Sequence, residues 1–164
     1  MKLSGEEQKK LARLSSCTCP ACVKACRLVP GGLVPNDVKP IADFLGISQG
    51  ELFGNYLVVG YYVGYGTDEE DGCFLRPAKV NANGHPIEST GAKVSWDWAA
   101  SEDPCIFLKQ DRCRIHPVKP WNCRAALACD HEYDGLPPTG EKTNKALANA
   151  WVGIDILENY GGKA

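Results

Sequence analysis

The chain has 164 residues, of which 44% are hydrophobic and 23% charged, so it is long enough for one domain with a modest core and its composition excludes wholesale disorder. Its formal net charge is -2 with every thiol counted as neutral, and thiolates bound to a metal would make it more acidic still. We therefore expect no nucleic-acid partner, because such a partner requires a basic face.

We also expect a cytoplasmic protein with no membrane segment. The first residues lack the continuous apolar run of a secretion signal, and the longest apolar stretch, Tyr56–Tyr65, is about half of the ~20 residues that cross a membrane. Thiols stay reduced in the cytoplasm, where clustered cysteines usually bind metal.

The N-terminal part of the chain predicts two short helices around the first cysteines. Ser4 and Glu7 form a capping-box pair, which predicts a helix over residues 5–16. Pro20 suits the first position of a second helix, which is expected to end before Pro30-Gly31-Gly32.

Two more helices are predicted before the first strand. Asn36 is the expected cap of a helix that ends at Gly46, and Pro40 inside it predicts either a late start or a kink. Ser48 and Glu51 form another capping box, which predicts a helical segment after them.

The middle of the chain is expected to form a small sheet. Tyr56–Gly66 is rich in β-branched and aromatic residues on both alternating faces, which predicts a strand covered on both sides. Asp68–Asp71 is the expected turn and Cys73–Pro77 the returning strand, followed by an irregular segment with a short strand near Ala92–Trp98.

A hairpin is predicted next, with Gln110-Asp111 at its turn between the arms Ile106–Leu108 and Arg114–Ile115. After the hairpin, Pro120 is expected to open a helical turn that carries Cys123.

The C-terminal segment predicts an amphipathic helix over about residues 141–160, packed against the core and ended by Gly161-Gly162. Its hydrophobic residues recur at three- and four-residue steps: Ala146, Leu147, Ala150, Trp151, Ile154 and Leu157. The sequence therefore predicts an α+β fold, a single small domain over residues 1–164 with short helices and a small antiparallel sheet, organised around cysteine metal sites.

Eight of the nine cysteines fall into two groups, an upstream cluster at residues 17–26 and a downstream cluster at residues 105–129. Cys19 is the expected cap of the second helix, with Cys22 and Cys26 on one face of it, at a helix end that favours thiolate over thiol. A C-x2-C pair is also the usual chelating spacing for zinc. We therefore expect metal ligands at eight positions: Cys17, Cys19, Cys22, Cys26, Cys105, Cys113, Cys123 and Cys129.

The downstream cluster has wider gaps, which the predicted hairpin would close by bringing Cys105 and Cys113 together. His116 and His131 are alternative ligands, although a structural role as a cap on the hairpin is favoured for His116. Arg124, adjacent to Cys123, is the expected donor of N–H groups to bound thiolates.

Two other interpretations of the upstream cluster stay open. Cys19-Pro20-Ala21-Cys22 also matches a thiol–disulfide redox motif, but that motif needs a preceding strand, whereas a helix is predicted there. Scattered, buried free cysteines are the other alternative, which the clustering of eight thiols disfavours. Cys73 stands apart from both clusters and is expected to be a small core residue.

Three short segments resemble the YkgJ-type cysteine-cluster family: Cys105-Ile-Phe-Leu, Cys113-Arg-Ile-His and Pro120-Trp-Asn-Cys123-Arg124. That family combines an N-terminal cysteine cluster with C-x-F-L, C-x-I-Y and R-P-x-x-C-R segments, and is described as zinc- or iron-chelating or as Fe–S oxidoreductase-like. The resemblance implies that both cysteine clusters hold metal. This chain departs from the pattern in its upstream spacing, C-x-C-x2-C-x3-C, in His116 where Tyr is commoner, and in Lys119-Pro120 where Arg-Pro is commoner.

All-thiolate sites suit both zinc and iron–sulfur clusters, so the ligand type leaves the metal open. Helped by the resemblance, we favour an iron–sulfur cluster of the 4Fe–4S type, with zinc as the alternative cofactor. The leading hypothesis is a metal-binding protein that passes electrons or metal to a protein redox partner.

Two further hypotheses come from other classes of protein. One is an Fe–S-dependent oxidoreductase or protein-modifying enzyme, since the family's cysteine domain also resembles part of flagellin lysine methylases. The sequence has no nucleotide-binding glycine fingerprint and no obvious nucleophile–base pair, so an enzyme is not favoured. The other is a structural zinc module that serves as a binding platform.

Overall fold

The computed structural model of the chain describes residues 31–62, 72–94, 103–121, 123 and 147–161. Its elements in chain order are α1 (Pro35–Leu45), α2 (Gln49–Tyr56), β1 (Leu57–Tyr62), β2 (Gly72–Pro77), β3 (Leu108–Lys109), β4 (Arg112–Cys113), a 3₁₀ turn (His116–Val118) and α3 (Ile156–Tyr160). Short helices beside two antiparallel, two-stranded sheets confirm the predicted α+β class. The predicted helices over residues 5–16 and after Pro20, and the predicted turn Asp68–Asp71, lie outside the described residues.

The N-terminus of α1 is stabilised by Asp37 rather than by Asn36, which was the predicted cap. The helix begins at Pro35, a residue that suits the first helical position because the N–H it lacks would have no partner there. The carboxylate Oδ2 of Asp37 accepts a hydrogen bond from the backbone N–H of Val34 at 2.9 Å. Pro40 lies inside the helix, which therefore does not start late.

The junction between α1 and α2 follows the predicted end and cap signals. Gly46 ends α1 in the left-handed conformation, with φ 70°. The Ser48 hydroxyl then accepts a hydrogen bond from the Glu51 N–H at 3.1 Å, while the Glu51 carboxylate accepts one from the Ser48 N–H at 2.8 Å. The predicted capping box is confirmed.

β1 and β2 form the predicted antiparallel pair, with Leu57 opposite Pro77 at one end and Tyr62 opposite Gly72 at the other. Gly60 lies opposite Phe74 in this register, and a Cβ atom at Gly60 would lie only 2.9 Å from the Phe74 ring. Because glycine has no Cβ atom, the Phe74 ring can pack against the strand at this position.

β1 is covered on both faces, as its composition predicted. Leu57 and Val59 belong to the main core, whereas Val58 packs in a smaller cluster with Ala78 and Val94. The main core includes these fully buried residues: Leu33, Ile41, Leu52, Phe53, Leu75, Phe107, Ile115 and Leu147.

Residues 91–94 extend along the second edge of β1. The Val59 N–H donates a hydrogen bond to the Ala92 carbonyl at 2.9 Å, and the pairing there is parallel. The strand predicted near Ala92–Trp98 is therefore present in its first residues as a short pairing, and residues 95–98 lie outside the described ranges.

β3 and β4 form a hairpin at the predicted turn, but their strands lie closer to the turn than the predicted arms Ile106–Leu108 and Arg114–Ile115. Leu108 pairs with Cys113, and the two residues between the strands, Gln110 and Asp111, have φ values of 50° and 59°. Positive φ at both central residues is the geometry of the two-residue turn that matches the twist of a hairpin.

The prediction of one continuous helix over about residues 141–160 is wrong within the described part of that segment. Residues 147–150 are helical, and Gly153, with φ 80°, then takes the chain out of the helical conformation. α3 begins anew after Asp155, whose carboxylate accepts a hydrogen bond from the Glu158 N–H at 3.0 Å.

The break changes which hydrophobic residues face the core. Leu147 and Trp151 are buried as predicted, but Ile154 and Leu157 are 36% and 43% exposed, and Ile156 is buried instead. The prediction counted one helical period across Gly153. Because the backbone leaves the helical conformation at Gly153, the side chains after it point in other directions than that period assigns.

Among the helices that the structure describes, none is long and apolar enough to cross a membrane.

Candidate metal centre

The structure describes part of the downstream cluster: Cys105, Cys113 and Cys123, with the alternative ligand His116. The remaining predicted ligands and the predicted N–H donor lie outside the described residues: Cys17, Cys19, Cys22, Cys26, Cys129, His131 and Arg124. The observed geometry therefore bears on the downstream cluster alone.

Cys105 lies three residues before the hairpin. Its backbone pairs with that of Lys79 in an isolated bridge, and the residue is buried in the main core. Cys113 ends the second strand of the hairpin, where the residue directly opposite it is Leu108, three positions after Cys105.

Cys113, at the end of β4, has an environment that includes two features favourable to a thiolate. Burial raises the pKa of the Cys113 thiol, while a hydrogen bond from the Ile115 backbone N–H and the positive charge of Lys119 act in the opposite direction. Burial has the larger effect, so the thiol keeps its proton in the metal-free protein. An N–H donor and a cation near the sulfur are what a metal-bound thiolate requires, because they offset its negative charge.

His116 opens the 3₁₀ turn three residues after Cys113. Its Nε2 atom is buried and has no hydrogen-bond partner among the described residues, so no hydrogen bond from this nitrogen supports the predicted role as a cap on the hairpin. Burial, and next the charge of Lys119, lower the pKa of His116, which keeps the ring neutral at neutral pH. A neutral imidazole with its proton on Nδ1 has a free lone pair on Nε2, and such a nitrogen can bind a metal.

Lys119 is a residue of this region to which the sequence analysis assigned no role. It is buried and lies close enough to Cys113 and His116 to influence the pKa of both. Pro117 and Pro120 fix two φ angles on either side of it, but this local pattern does not indicate that the lysine is buried. The sequence pointed to Arg124 for the role of the nearby cation.

Cys123 lies in the helical turn that was predicted after Pro120, and Trp121 in the same turn is also helical. The backbone N–H of Trp121 donates a hydrogen bond of 2.7 Å to Oδ2 of Asp37. The turn that carries Cys123 is thereby attached to the start of α1. No local pattern in the sequence indicated this attachment, because the two residues are 84 positions apart.

Within the described ranges, no three side chains of His, Cys, Asp or Glu lie together as a metal-binding group, and no disulfide joins two of the described cysteines. A four-ligand site built on Cys113 or Cys123 therefore needs ligands from the rest of the chain.

Comparison of the chain with protein-family models, with curated proteins and with solved structures gives no match in any of the three. The resemblance to the YkgJ-type family therefore stays a prediction.

The thiols of Cys113 and Cys123 are of the chemical type that zinc and iron–sulfur centres prefer, so either would contribute a ligand to a site completed from the rest of the chain. A bound iron–sulfur cluster would supply one-electron transfer, whereas zinc would supply a structural cross-link.

Proposed function

We propose that this protein binds a metal centre, either an iron–sulfur cluster or zinc, through its two cysteine clusters. The observation that carries the proposal is the environment of Cys113, whose sulfur receives the Ile115 N–H and lies within the influence of the buried Lys119 cation. Both features offset the charge of a thiolate that has lost its proton to a metal. The proposed ligands are the eight clustered cysteines: Cys17, Cys19, Cys22, Cys26, Cys105, Cys113, Cys123 and Cys129.

The chain length from Cys26 to Leu33 allows both cysteine clusters to contribute to one metal centre. Leu33, seven residues after Cys26, is bonded to the β2 backbone at 2.8 Å, and its carbonyl accepts a 2.8 Å hydrogen bond from Trp151 Nε1. Seven residues span at most about 25 Å. Asp37, four positions after Leu33, contacts the turn that carries Cys123. The chain length from Cys26 to Leu33 is therefore compatible with a site that draws on both clusters.

We favour an iron–sulfur cluster of the 4Fe–4S type, as the resemblance implies, with electron transfer to a protein redox partner in the reducing cytoplasm as its role. All-thiolate ligation is the usual way such clusters are held. Reduced thiols, which the ligands require, persist in that compartment.

A structural zinc site is the second candidate function, and one observation favours it. The Nε2 atom of His116, three residues after Cys113, is buried and without a hydrogen-bond partner in the described part of the chain, in a ring that is neutral at neutral pH. Mixed cysteine and histidine ligation is common in structural zinc sites.

Metal analysis of protein purified without oxygen tests the proposal and separates the two metals. A brown protein with iron and sulfide in each chain supports the cluster, and a colourless protein with stoichiometric zinc supports the structural site. A protein that holds neither metal, even after reconstitution under reducing conditions, contradicts the proposal.

Serine variants test the ligand assignment. We expect Cys22→Ser, Cys113→Ser and Cys123→Ser to lower the bound metal and the Tm, because metal binding contributes to folding free energy. Cys73→Ser is the matched control, since Cys73 is partly buried against the same core but is not a predicted ligand. Equal metal content in all four variants would show that the assignment is wrong.

A further inference from the structure

One carboxylate oxygen holds the starts of two separate helical segments. Oδ2 of Asp37 accepts the Val34 N–H at 2.9 Å and the Trp121 N–H at 2.7 Å, and Asp37 is only 3% exposed. The first bond belongs to the start of α1. The second reaches a residue 84 positions away, at the start of the turn that carries Cys123.

Both bonds use a backbone N–H that a helix leaves without a partner inside itself. The first N–H groups of any helical segment need an external acceptor, and a negative charge there also interacts favourably with the helix dipole. Pro120 directly before Trp121 has no N–H to offer, so the Trp121 N–H is the first donor of that turn. Asp37 therefore supplies the acceptor that the Cys123 turn needs from outside.

We infer that Asp37 is a positioning residue for Cys123, which it acts on through the Trp121 N–H. Cys123 lies two residues after Trp121 in the same turn, so the attachment to α1 limits the directions in which the cysteine sulfur can point. The inference that this direction serves metal binding rests on the proposed function. The attachment of the turn to α1 is independent of the proposed function, because it depends only on the hydrogen bond between Trp121 and Asp37.

A simpler role for Asp37 would be to stabilise α1 alone. Ser48 offers a matched control for that role, because its hydroxyl caps α2 by accepting the N–H of Glu51, its own neighbour in sequence, at an exposed site. Asp37→Ala and Ser48→Ala each remove a helix-capping acceptor, whereas only Asp37→Ala also removes the acceptor at Trp121.

The first measurement uses metal-free, reduced protein and needs no bound metal. Cys123 is alkylated under native conditions and its modification rate is followed by peptide mass spectrometry, with Cys73 as the internal reference. We expect Asp37→Ala to raise the Cys123 rate about tenfold relative to Cys73, since losing one hydrogen bond makes local opening easier by roughly that factor. Ser48→Ala should leave the ratio unchanged.

A conservative variant keeps the inference testable if Asp37→Ala does not fold. Asp37→Asn retains an oxygen that can accept both N–H groups and loses only the charge, so its Cys123 rate should lie between those of the wild type and Asp37→Ala.

The second measurement titrates each reduced variant with Co²⁺ and follows the thiolate-to-metal absorption band. Asp37→Ala is expected to bind Co²⁺ more weakly than Ser48→Ala, with Asp37→Asn in between.

The outcomes separate the inference from the proposed function. An unchanged Cys123 rate in Asp37→Ala and Asp37→Asn overturns the positioning role. A raised Cys123 rate with equal Co²⁺ affinity in Asp37→Ala and Ser48→Ala also overturns the role toward the metal. A wild-type protein that takes up no Co²⁺ overturns the proposed function and the metal role with it, and the alkylation rates then decide whether Asp37 orders the Cys123 turn.

Discussion

The guanidinium of Arg76 donates two hydrogen bonds from Nη2 to the carboxylate of Glu88, at 3.0 Å and 2.8 Å, with the Arg76 side chain fully buried and that of Glu88 only 9% exposed. A second cation, Lys79, is also buried beside this pair. Burial, and then the charge of Arg76, lower the pKa of Lys79, while Glu88 and Asp103 act in the opposite direction. Glu88 therefore compensates two buried positive charges.

We expect Glu88→Ala to lower the free energy of unfolding by about 3–5 kcal/mol, because it removes the carboxylate that pairs with the buried Arg76 guanidinium. The matched control is Asp43→Ala, which removes one partner of the exposed Lys39–Asp43 pair, whose side chains are 71% and 63% exposed. That change should cost less than about 1 kcal/mol. Denaturant unfolding of both variants measures the difference, and similar losses in the two would contradict the role of Glu88.

A substitution in the hairpin turn is expected to stabilise the protein. Gln110 is held at φ 50°, a conformation that asparagine and glycine adopt more readily in this type of turn. We expect Gln110→Asn to raise the free energy of unfolding by about 0.5–1 kcal/mol and Gln110→Val to lower it, because a β-branched side chain resists positive φ. Thermal unfolding of the two variants beside the wild type provides the measurement, and a lower Tm for the asparagine variant would argue against this turn geometry.

His116 gives a prediction for the metal-free protein. Nε2 of His116 is buried and has no hydrogen-bond partner within the described ranges. Such a nitrogen costs roughly 1–3 kcal/mol, and leucine has a similar size without the polar atom. We expect His116→Leu to increase the stability of metal-free protein by about 1 kcal/mol, as measured by denaturant unfolding in the presence of a chelator. A clear loss of stability would mean that Nε2 has a partner in solution.

We expect the phenol of Tyr160 to make the stability of the protein more sensitive to alkaline pH. Its ring lies 6.2 Å from those of both Phe53 and Trp151, and burial raises the pKa of its phenol. A raised pKa in the folded state means that the unfolded chain loses its proton first. The stability that Tyr160 supplies is therefore complete below the ordinary value of about 10 and is lost as the pH rises beyond it.

Tyr160→Phe removes this titration. Between about pH 8 and pH 11, the wild type should lose more of its stability than the variant, with the difference developing near pH 10. Urea unfolding at a series of pH values compares the two proteins. Parallel pH profiles would show that the phenol is as solvated in the folded state as in the unfolded chain.

Local rules were enough to predict several elements from the sequence. The Ser48–Glu51 capping box, the end of α1 at Gly46 and the turn at Gln110-Asp111 each depend on residues at most four positions apart. The covered strand β1 was predicted because β-branched and aromatic residues occupy both of its faces. In each case the structure follows the local preference.

Other features depend on contacts that no local pattern contains. Asp37 accepts the N–H of Val34, three positions before it, but its second donor, Trp121, lies 84 positions away. The C-terminal helix is interrupted at Gly153, although the hydrophobic spacing continues across it. The burial of Lys119 beside Cys113 likewise follows from the path of the backbone. For the candidate site, the sequence predicted the ligand types, whereas the Ile115 N–H and the Lys119 charge near Cys113 became visible only in the fold.

The hydrogen bond between the Leu33 carbonyl and the Trp151 indole has a consequence for the order of assembly. Its donor lies 118 positions after its acceptor, so the bond cannot form during synthesis until Trp151 has emerged. Closing so long a loop before the contact is gained slows folding. During translation the Leu33 N–H can bond to the Leu75 carbonyl well before Trp151 is made, whereas the bond between the Leu33 carbonyl and the indole waits for Trp151. A nascent chain that stops short of Trp151 therefore lacks this second bond.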